Sequence, residues 1–334
     1  MTPRLAVIVP ATDDPPTLPR CRASLEAALT PADELVVVRR APREGPSRAR
    51  NEGVDASRAE ILVFVDADVE VHADALGLIR ARFAADPDLD AVFGSYDDEP
   101  AARDVVSTFR NLLHHHVHHE SAGPVDSFWA GLGAVRRGAF EATGGFRDLA
   151  GVEDVELGTR LLGAGARIEL DPAIQGKHLK RWTLPSMVRA DLLNRGIPWT
   201  QLALEGRATR RGLNLGWRHR LSAGASVVLV DRLLRRRTAE AAAALAALCA
   251  LNIRFYRLLA VRGPRYLVGG IAVHVVHHLT SALALVVGVL TKPSALVRLT
   301  RRWRTPAPTW PASRARRDTG ARRGRRPRGR RRPR

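Results

Sequence analysis

The sequence predicts an α/β fold: a mostly parallel, Rossmann-like sheet, then an α-helical membrane-associated region and a disordered basic tail. Three observations lead there. Short apolar runs alternate with helical patterns, one run ends in paired carboxylates, and apolar and basic residues separate sharply toward the C-terminus. Ile61-Leu62-Val63-Phe64-Val65 is rich in β-branched residues and too short for a helix, so it reads as a buried parallel strand. Asp66 and Asp68 follow directly, where ligands collect beyond the carboxyl ends of strands in a doubly wound sheet. Two like charges so close call for a positive partner, and a divalent cation carrying diphosphate oxygens suits them. A solvated acidic strand exit is the plain alternative.

The other elements follow in order. Leu5 to Val9 predicts a first strand closed by Pro10, and 11–16 a polar loop. Leu18, Cys21 and Leu25 recur at helical spacing. Glu34 to Val38 predicts a second strand ending in Arg39 and Arg40, and a helix from about Arg48 reaches Ala56. Strand, helix, strand, helix, strand implies parallel strands joined by right-handed crossovers. No Gly-x-Gly-x-x-Gly fingerprint or Walker loop occurs, which removes the main support for dinucleotide and P-loop readings. Further on come a helix over Leu76 to Ala85, a strand over Ala91 to Gly94, and a helix over Val105 to Glu120 carrying five histidines. A Gly-punctuated segment at 128–135 and a helix at Arg137 to Ala142 precede Gly144-Gly145-Phe146. The acid pair Glu153-Asp154 then opens a helix through Leu162. A short strand at Arg167 to Leu170, the run His178 to Trp182, and a helix over Pro185 to Leu193 complete this part.

A chain of 334 residues with 45% hydrophobic content can hold a sizeable core plus an appendage. The net charge of +19 is concentrated: residues 301–334 hold 15 Arg against one Asp, leaving about +5 for the rest. Residues 299–334 therefore read as a disordered Arg-rich tail that cannot bury a core. Cys21 and Cys249 lie far apart in apolar patterns, which suits a reduced cytosolic setting. The chain runs into a strand after four residues, so no secretory signal peptide is expected.

Arg265 to Leu290 has 25 residues without a charge after Arg265, enough for a bilayer core that takes about 20. Residues 206–298 are thus expected to be helical with membrane-spanning segments, 266–290 being the best. Leu221 to Leu251 is apolar but interrupted, a broken span or an interfacial pair. Two crossings keep the tail on the cytosolic side but leave Arg254, Arg257 and Arg262 outside. A soluble helical subdomain packed on the sheet domain is the alternative, with the tail as an anionic-lipid anchor.

Residues 1–205 resemble a family 2 glycosyltransferase of the GT-A fold. The resemblance rests on the strand ending in Pro10, Ala49-Arg50-Asn51-x-Gly53, Asp66-x-Asp68, Gly144-Gly145-Phe146, Glu153-Asp154 and His178-x-x-Arg181-Trp182, in the family's order. It implies an inverting transfer of a sugar from a nucleotide-diphosphate sugar to an acceptor hydroxyl. Asp154 is then the general base, with Glu153 binding acceptor. Asp68, with His178, would hold Mg²⁺ or Mn²⁺, and Pro10, Asp13, Arg50 and Asp66 would contact the donor. Trp129, Gly131, Arg181 and Trp182 would line the acceptor side. Family members place an Asp after the second strand to hold the nucleobase; here Arg39 or Arg40 stands there, and Asp13 or Asp14 could take part of that role. The membrane segments imply a lipid-linked or cell-envelope glycan acceptor, at the cell membrane, with the catalytic domain cytoplasmic.

His114 and His118, like His115 and His119, sit at helical i, i+4 spacing that suggests zinc. No Cys lies near them, and structural or acceptor-side use is favoured. A nucleotidyltransferase would need a Gly-rich loop after the first strand, and 11–16 contains no Gly. A nucleic-acid binder led by the tail would lack aromatic interleaving, so no specific nucleic acid is expected.

Overall fold

The computed structural model describes residues 3–12, 14–40, 44–149, 151–207, 213 and 216–292. Asp13 and the expected tail at 299–334 lie outside the described residues. The apolar runs form the strands of one mixed sheet: β1 (Leu5–Ala11), β2 (Glu34–Arg39), β3 (Ile61–Val65), β4 (Val69–Val71), β5 (Ala91–Tyr96), β6 (Gly123–Pro124), β7 (Leu132–Arg136) and β8 (Ile168–His178). The order is β2-β1-β3-β7-β5-β8-β4, with β6 on β8. β1 pairs in parallel with β2 and β3, and β5 with β8, whereas β7 runs against β3 and β5.

Strand periodicity builds two cores. Leu5, Val7 and Val9 pack with Leu18, Cys21 and Leu25 of helix α1 (Leu18–Ala28) and Leu76, Ile79 and Phe83 of α3 (Ala75–Ala85). Ala6 and Ile8 face the other way, toward Val54 of α2 (Gly45–Asp55), Phe140 of α5 (Arg137–Ala142) and Leu157 and Leu161 of α6 (Glu153–Gly163). Gly53 is what lets α2 close on the sheet, since a Cβ there would run into Ile8.

Three expectations are corrected. β1 continues through Pro10 to Ala11 because the opposite strand still pairs there, Ala11 with Arg39. The short strand expected at 167–170 extends to His178, since its far half pairs with β4. The helix expected over Pro185 to Leu193 is α7 (Leu184–Arg189), which widens into a π-helical stretch over Ala190–Gly196 before α8 (Ile197–Glu205).

A third core lies under α4 (Val105–His119). Its Phe109 and Leu112 pack with Met187 and with Phe255 and Leu259 of α11 (Ile253–Val261). Helices α9 (Trp217–Leu234) and α10 (Thr238–Leu251) precede α11, and α10 meets α11 at an 83° bend. The interruption expected within 221–251 falls between Leu234 and Thr238, and a second break follows at 252. Helix α12 (Pro264–Leu290) is long and apolar enough to cross a membrane. It is tied along its length to the sheet domain and the helices that follow it. Tyr266 Oη donates to Arg103 O at 2.7 Å, His277 Nδ1 lies 2.8 Å from Asp191 Oδ2, and Lys292 pairs with Glu205. Arg254 pairs with Glu120 at 2.9 Å and Arg262 with Asp98 at 2.7 Å. These two arginines thus sit on the sheet domain, not across a bilayer from it.

Candidate active site

The carboxyl end of β3 is shaped by its neighbours. Asp66 N donates to Gly131 O at 3.0 Å, Val69 N to Asp66 O at 2.9 Å, and Leu179 N to Asp68 O at 2.8 Å. The Asp66-x-Asp68 turn is therefore held between β7 and the end of β8. His178 closes β8, and its Nε2 lies 3.7 Å from Asp68 Oδ2. The Tyr96 ring stacks on His178 with centroids 4.2 Å apart and planes 12° apart. Tyr96 at the end of β5 is thus a site residue that the motifs missed. The only signal for it was an aromatic closing an apolar strand.

Arg50 joins the two acid pairs. It is 4% exposed, and its Nη2 donates to Asp66 Oδ1 at 2.8 Å and its Nη1 to Glu153 Oε1 at 2.7 Å. Its guanidinium also lies 5.2 Å from the centre of the Phe146 ring. Burial opposes the arginine's charge, but Asp66 and Glu153 outweigh it and push the pKa up. A guanidinium committed to two carboxylates is a buried brace between them. Next to it, the Asn51 side chain bonds both ways with Phe146: Phe146 N donates to Oδ1 at 2.9 Å and Nδ2 to Phe146 O at 2.8 Å. Gly144 and Gly145 at φ +76° and +70° make the turn that this clasp requires. Consecutive residues of α2 therefore hold both the acid cluster and the turn that leads into α6.

Asp154 stands at the start of α6. Its Oδ1 accepts from Val155 N at 2.8 Å and its Oδ2 from Ala130 N at 3.4 Å. Burial, then the charge of Glu153, raises its pKa to about 7, with Arg50 opposing. Asp66 is also raised, by burial against the pull of Arg50. Asp68 is lowered: burial is outweighed by the His178 hydrogen bond and charge and by Lys180. Glu153 Oε2 is buried with no hydrogen-bond partner.

The remaining expected residues are placed as follows. Trp129 is half-buried against Tyr96 and His114, and its indole fills the space beside Gly131, where a Cβ would collide with it. The room that Gly131 gives is thus used by the protein's own tryptophan. Pro10 is buried in β1 beside Val38. Arg181 is 78% exposed and 3.6 Å from Asp104. Trp182 is 5% exposed in the third core, with Arg110 and Lys180 over its ring, so no open channel wall is formed by it. Arg39 pairs with Asp14 at 3.1 Å and Arg40 with Glu52 at 2.5 Å.

The histidine cluster clamps α4 to β5. His118 Nδ1 is 2.9 Å from Gly94 O and His115 Nδ1 2.9 Å from Tyr96 O, while His114 lies against Tyr96 and Trp129. Burial lowers the pKa of His118 to about 4, which keeps it neutral. No group of three or more His, Cys, Asp or Glu that could hold a metal occurs among the described residues.

Residues 13–144 match the model of glycosyl transferase family 2. No curated protein matches the chain. Among solved structures, it is similar to the mannosyltransferase PcManGT from Pyrobaculum calidifontis, in complex with GDP-Man and Mn²⁺. That likeness has 21% identity and a TM-score of 0.52, covering 86% of this chain and 88% of that one. GalNAc-T7 with UDP, GalNAc and Mn²⁺ is similar at 14% identity and a TM-score of 0.42, over 62% of this chain and 52% of that one. With its α/β sheet and carboxylate-lined strand end, the chain has the GT-A fold, and its residues 13–144 are a stretch that matches glycosyl transferase family 2.

Proposed function

We propose that this chain transfers a sugar from a nucleotide-diphosphate sugar to an acceptor hydroxyl by direct displacement with inversion, at a membrane surface. The observation that carries the chemistry is the pairing of a lowered Asp68 beside His178 with a raised Asp154 across the Arg50 brace. One site favours a stable negative charge; the other favours a carboxylate poised to take a proton. A general base works best when its pKa lies near the operating pH. Asp154 fits that role, and the unpartnered Oε2 of Glu153 can accept from a sugar hydroxyl beside it.

Asp68 and His178 fit a divalent ion: an imidazole nitrogen and a carboxylate oxygen 3.7 Å apart can both reach one cation, and the diphosphate would supply further oxygens. Bound there, Mg²⁺ or Mn²⁺ would neutralise charge building on the leaving diphosphate. The PcManGT complex holds Mn²⁺ and GDP-Man, which makes GDP-mannose the first donor to try. Asp66, fixed by Arg50, faces donor hydroxyls.

Membrane association is supported by the surface. Every exposed large hydrophobic side chain among the described residues lies at or beyond Leu184, including Trp217, Leu234, Val261, Val268 and Leu285. The ties that pin both ends of α12 to the rest of the protein favour helices lying on the bilayer with that face down. A lipid-linked or envelope glycan acceptor follows from such placement, with the catalytic domain on the cytosolic side.

Nucleoside diphosphate release from GDP-mannose with Mn²⁺ and membrane lipid extract tests this. Asp154→Asn should lose about 10²–10⁴ in kcat while donor still binds. A base must be deprotonated, so wild-type kcat/KM should fall tenfold per pH unit below about pH 7, and the variant should lose that limb. An Asn variant as active as wild type would remove Asp154 from the mechanism. Mn²⁺ should raise the melting temperature with GDP-mannose in wild type and not in Asp68→Ala; an equal shift in both would move the metal elsewhere.

A further inference from the structure

A cavity of about 800 Å³ lies on the far side of α4 from the catalytic residues, walled by α9, α10, α11 and α12. It falls in the range of small-molecule sites, about 300–1,000 Å³. Leu113, Val117 and Phe255 form apolar walls. His116 lines it too, whereas His114, His115 and His118 of the same helix face β5 and Trp129. One helix thus separates this cavity from the site already described.

Three observations identify its occupant. Trp217, Leu221 and Ile253 line the cavity and are 63%, 53% and 48% exposed, so its apolar lining runs into the apolar outer surface. Hydrocarbon can pass from a bilayer into the cavity without crossing a polar rim there. Arg218 lines it as well, with its guanidinium 5.5 Å from the Trp217 ring centre. Arg218 has no ion pair among the described residues, whereas Arg254 is neutralised by Glu120 at 2.9 Å. Finally, His278 is 1% exposed and neither ring nitrogen has a hydrogen-bond partner. Its ring centre lies 4.9 Å from that of His219, the neighbour of Arg218 in sequence. A buried imidazole without a partner is costly unless a ligand supplies one.

We propose that this cavity binds one anionic phospholipid of the surrounding bilayer, as a resident lipid and not as the sugar acceptor. An acyl chain fills the apolar interior, the ester carbonyl accepts from His278, and the phosphate lies at Arg218. The inference rests on the membrane association proposed above. It adds a lipid site that bears on α4 from behind and so on the β5 edge of the active site.

The test uses the full chain with phosphatidylglycerol vesicles whose acyl chains carry a photoreactive diazirine, and maps the adducts by peptide mass spectrometry. Adducts at Leu113, Val117 or Leu251 are expected, and they should fall at least tenfold in A247F/A250F, which fills the cavity from two exposed small residues. R218Q should shift labelling from phosphatidylglycerol toward phosphatidylcholine. Adducts confined to outward residues such as Val227 and Leu285, or equal cavity labelling in A247F/A250F, would overturn the proposal. Vesicle flotation of the same samples separates the two readings. A protein that does not float fails the membrane reading; one that floats without cavity adducts fails only this one. Release of nucleoside diphosphate from GDP-mannose by A247F/A250F reports that the catalytic domain is intact.

Discussion

The sheet domain and the C-terminal helices treat apolar residues in opposite ways. From Leu5 to Trp182 the large hydrophobic side chains are buried or half-buried, in two cores split by strand alternation and a third under α4. From Leu184 onward sixteen are exposed among the described residues, while Asp191, Ser222, Ser226, His274 and His277 are buried there. Water explains the first pattern, because burying each such side chain yields about 1.5–3 kcal/mol. The second suits a protein surface that meets hydrocarbon on one side and the catalytic domain on the other. Under the membrane contact proposed above, what differs is the solvent for which each region is built.

That contrast can be broken in three places. The largest effect should come from Arg50→Met in the sheet domain. It strands Asp66 and Glu153 without their counter-charge, and losing one partner of a buried pair costs about 3–5 kcal/mol. Urea unfolding measures this, and a loss under about 1 kcal/mol would mean the brace is not structural. Next, Asp191→Ala cuts α12 from α4, because Asp191 holds both His277 and Arg110. A buried charged group removed from such a pair should cost about 2–3 kcal/mol. Hydrogen exchange should show faster opening of α12 with β1 and β3 unchanged. Opening spread evenly over the protein would merge the two regions into one unit. The smallest effect on folding should come from Leu283→Ser/Leu285→Ser/Val286→Ser, on the exposed face of α12. Each change should stay within about 0.5 kcal/mol in solution, yet vesicle partitioning should drop at least tenfold. Unchanged partitioning would remove this face from the membrane contact.

Much of the fold was legible because its signals are local. Apolar β-branched runs and helical spacing found β1, β2, β3 and β5 and the helices between them. The antiparallel course of β7 was not legible, since no local residue dictates which way a Gly-punctuated strand runs between two others. The extent of β8 was missed for a like reason: its far half is a strand because β4 and the end of β5 pair with it. In the site, Asp66, Asp68, Arg50, Glu153 and Asp154 come together as the motifs suggested. The partners that set their behaviour were out of reach. Nothing in the sequence says that Arg50 spends its donors on Asp66 and Glu153, that Gly131 makes room for Trp129, or that Tyr96 stacks on His178. The histidines of α4 looked like ligands by spacing and are fasteners by contact, because strand carbonyls were waiting for them. Burial of Trp182 likewise depends on helices from the far end of the chain.

The clasp at Arg50 and Asn51 has a consequence for how this protein can vary. Two successive positions on one short rod grip the charge cluster and the diglycine bend, so slipping that rod by a single residue would release both grips together. Tuning at this centre must therefore come from loops and outer walls, while the rod itself tolerates only exchanges that keep both grips in step.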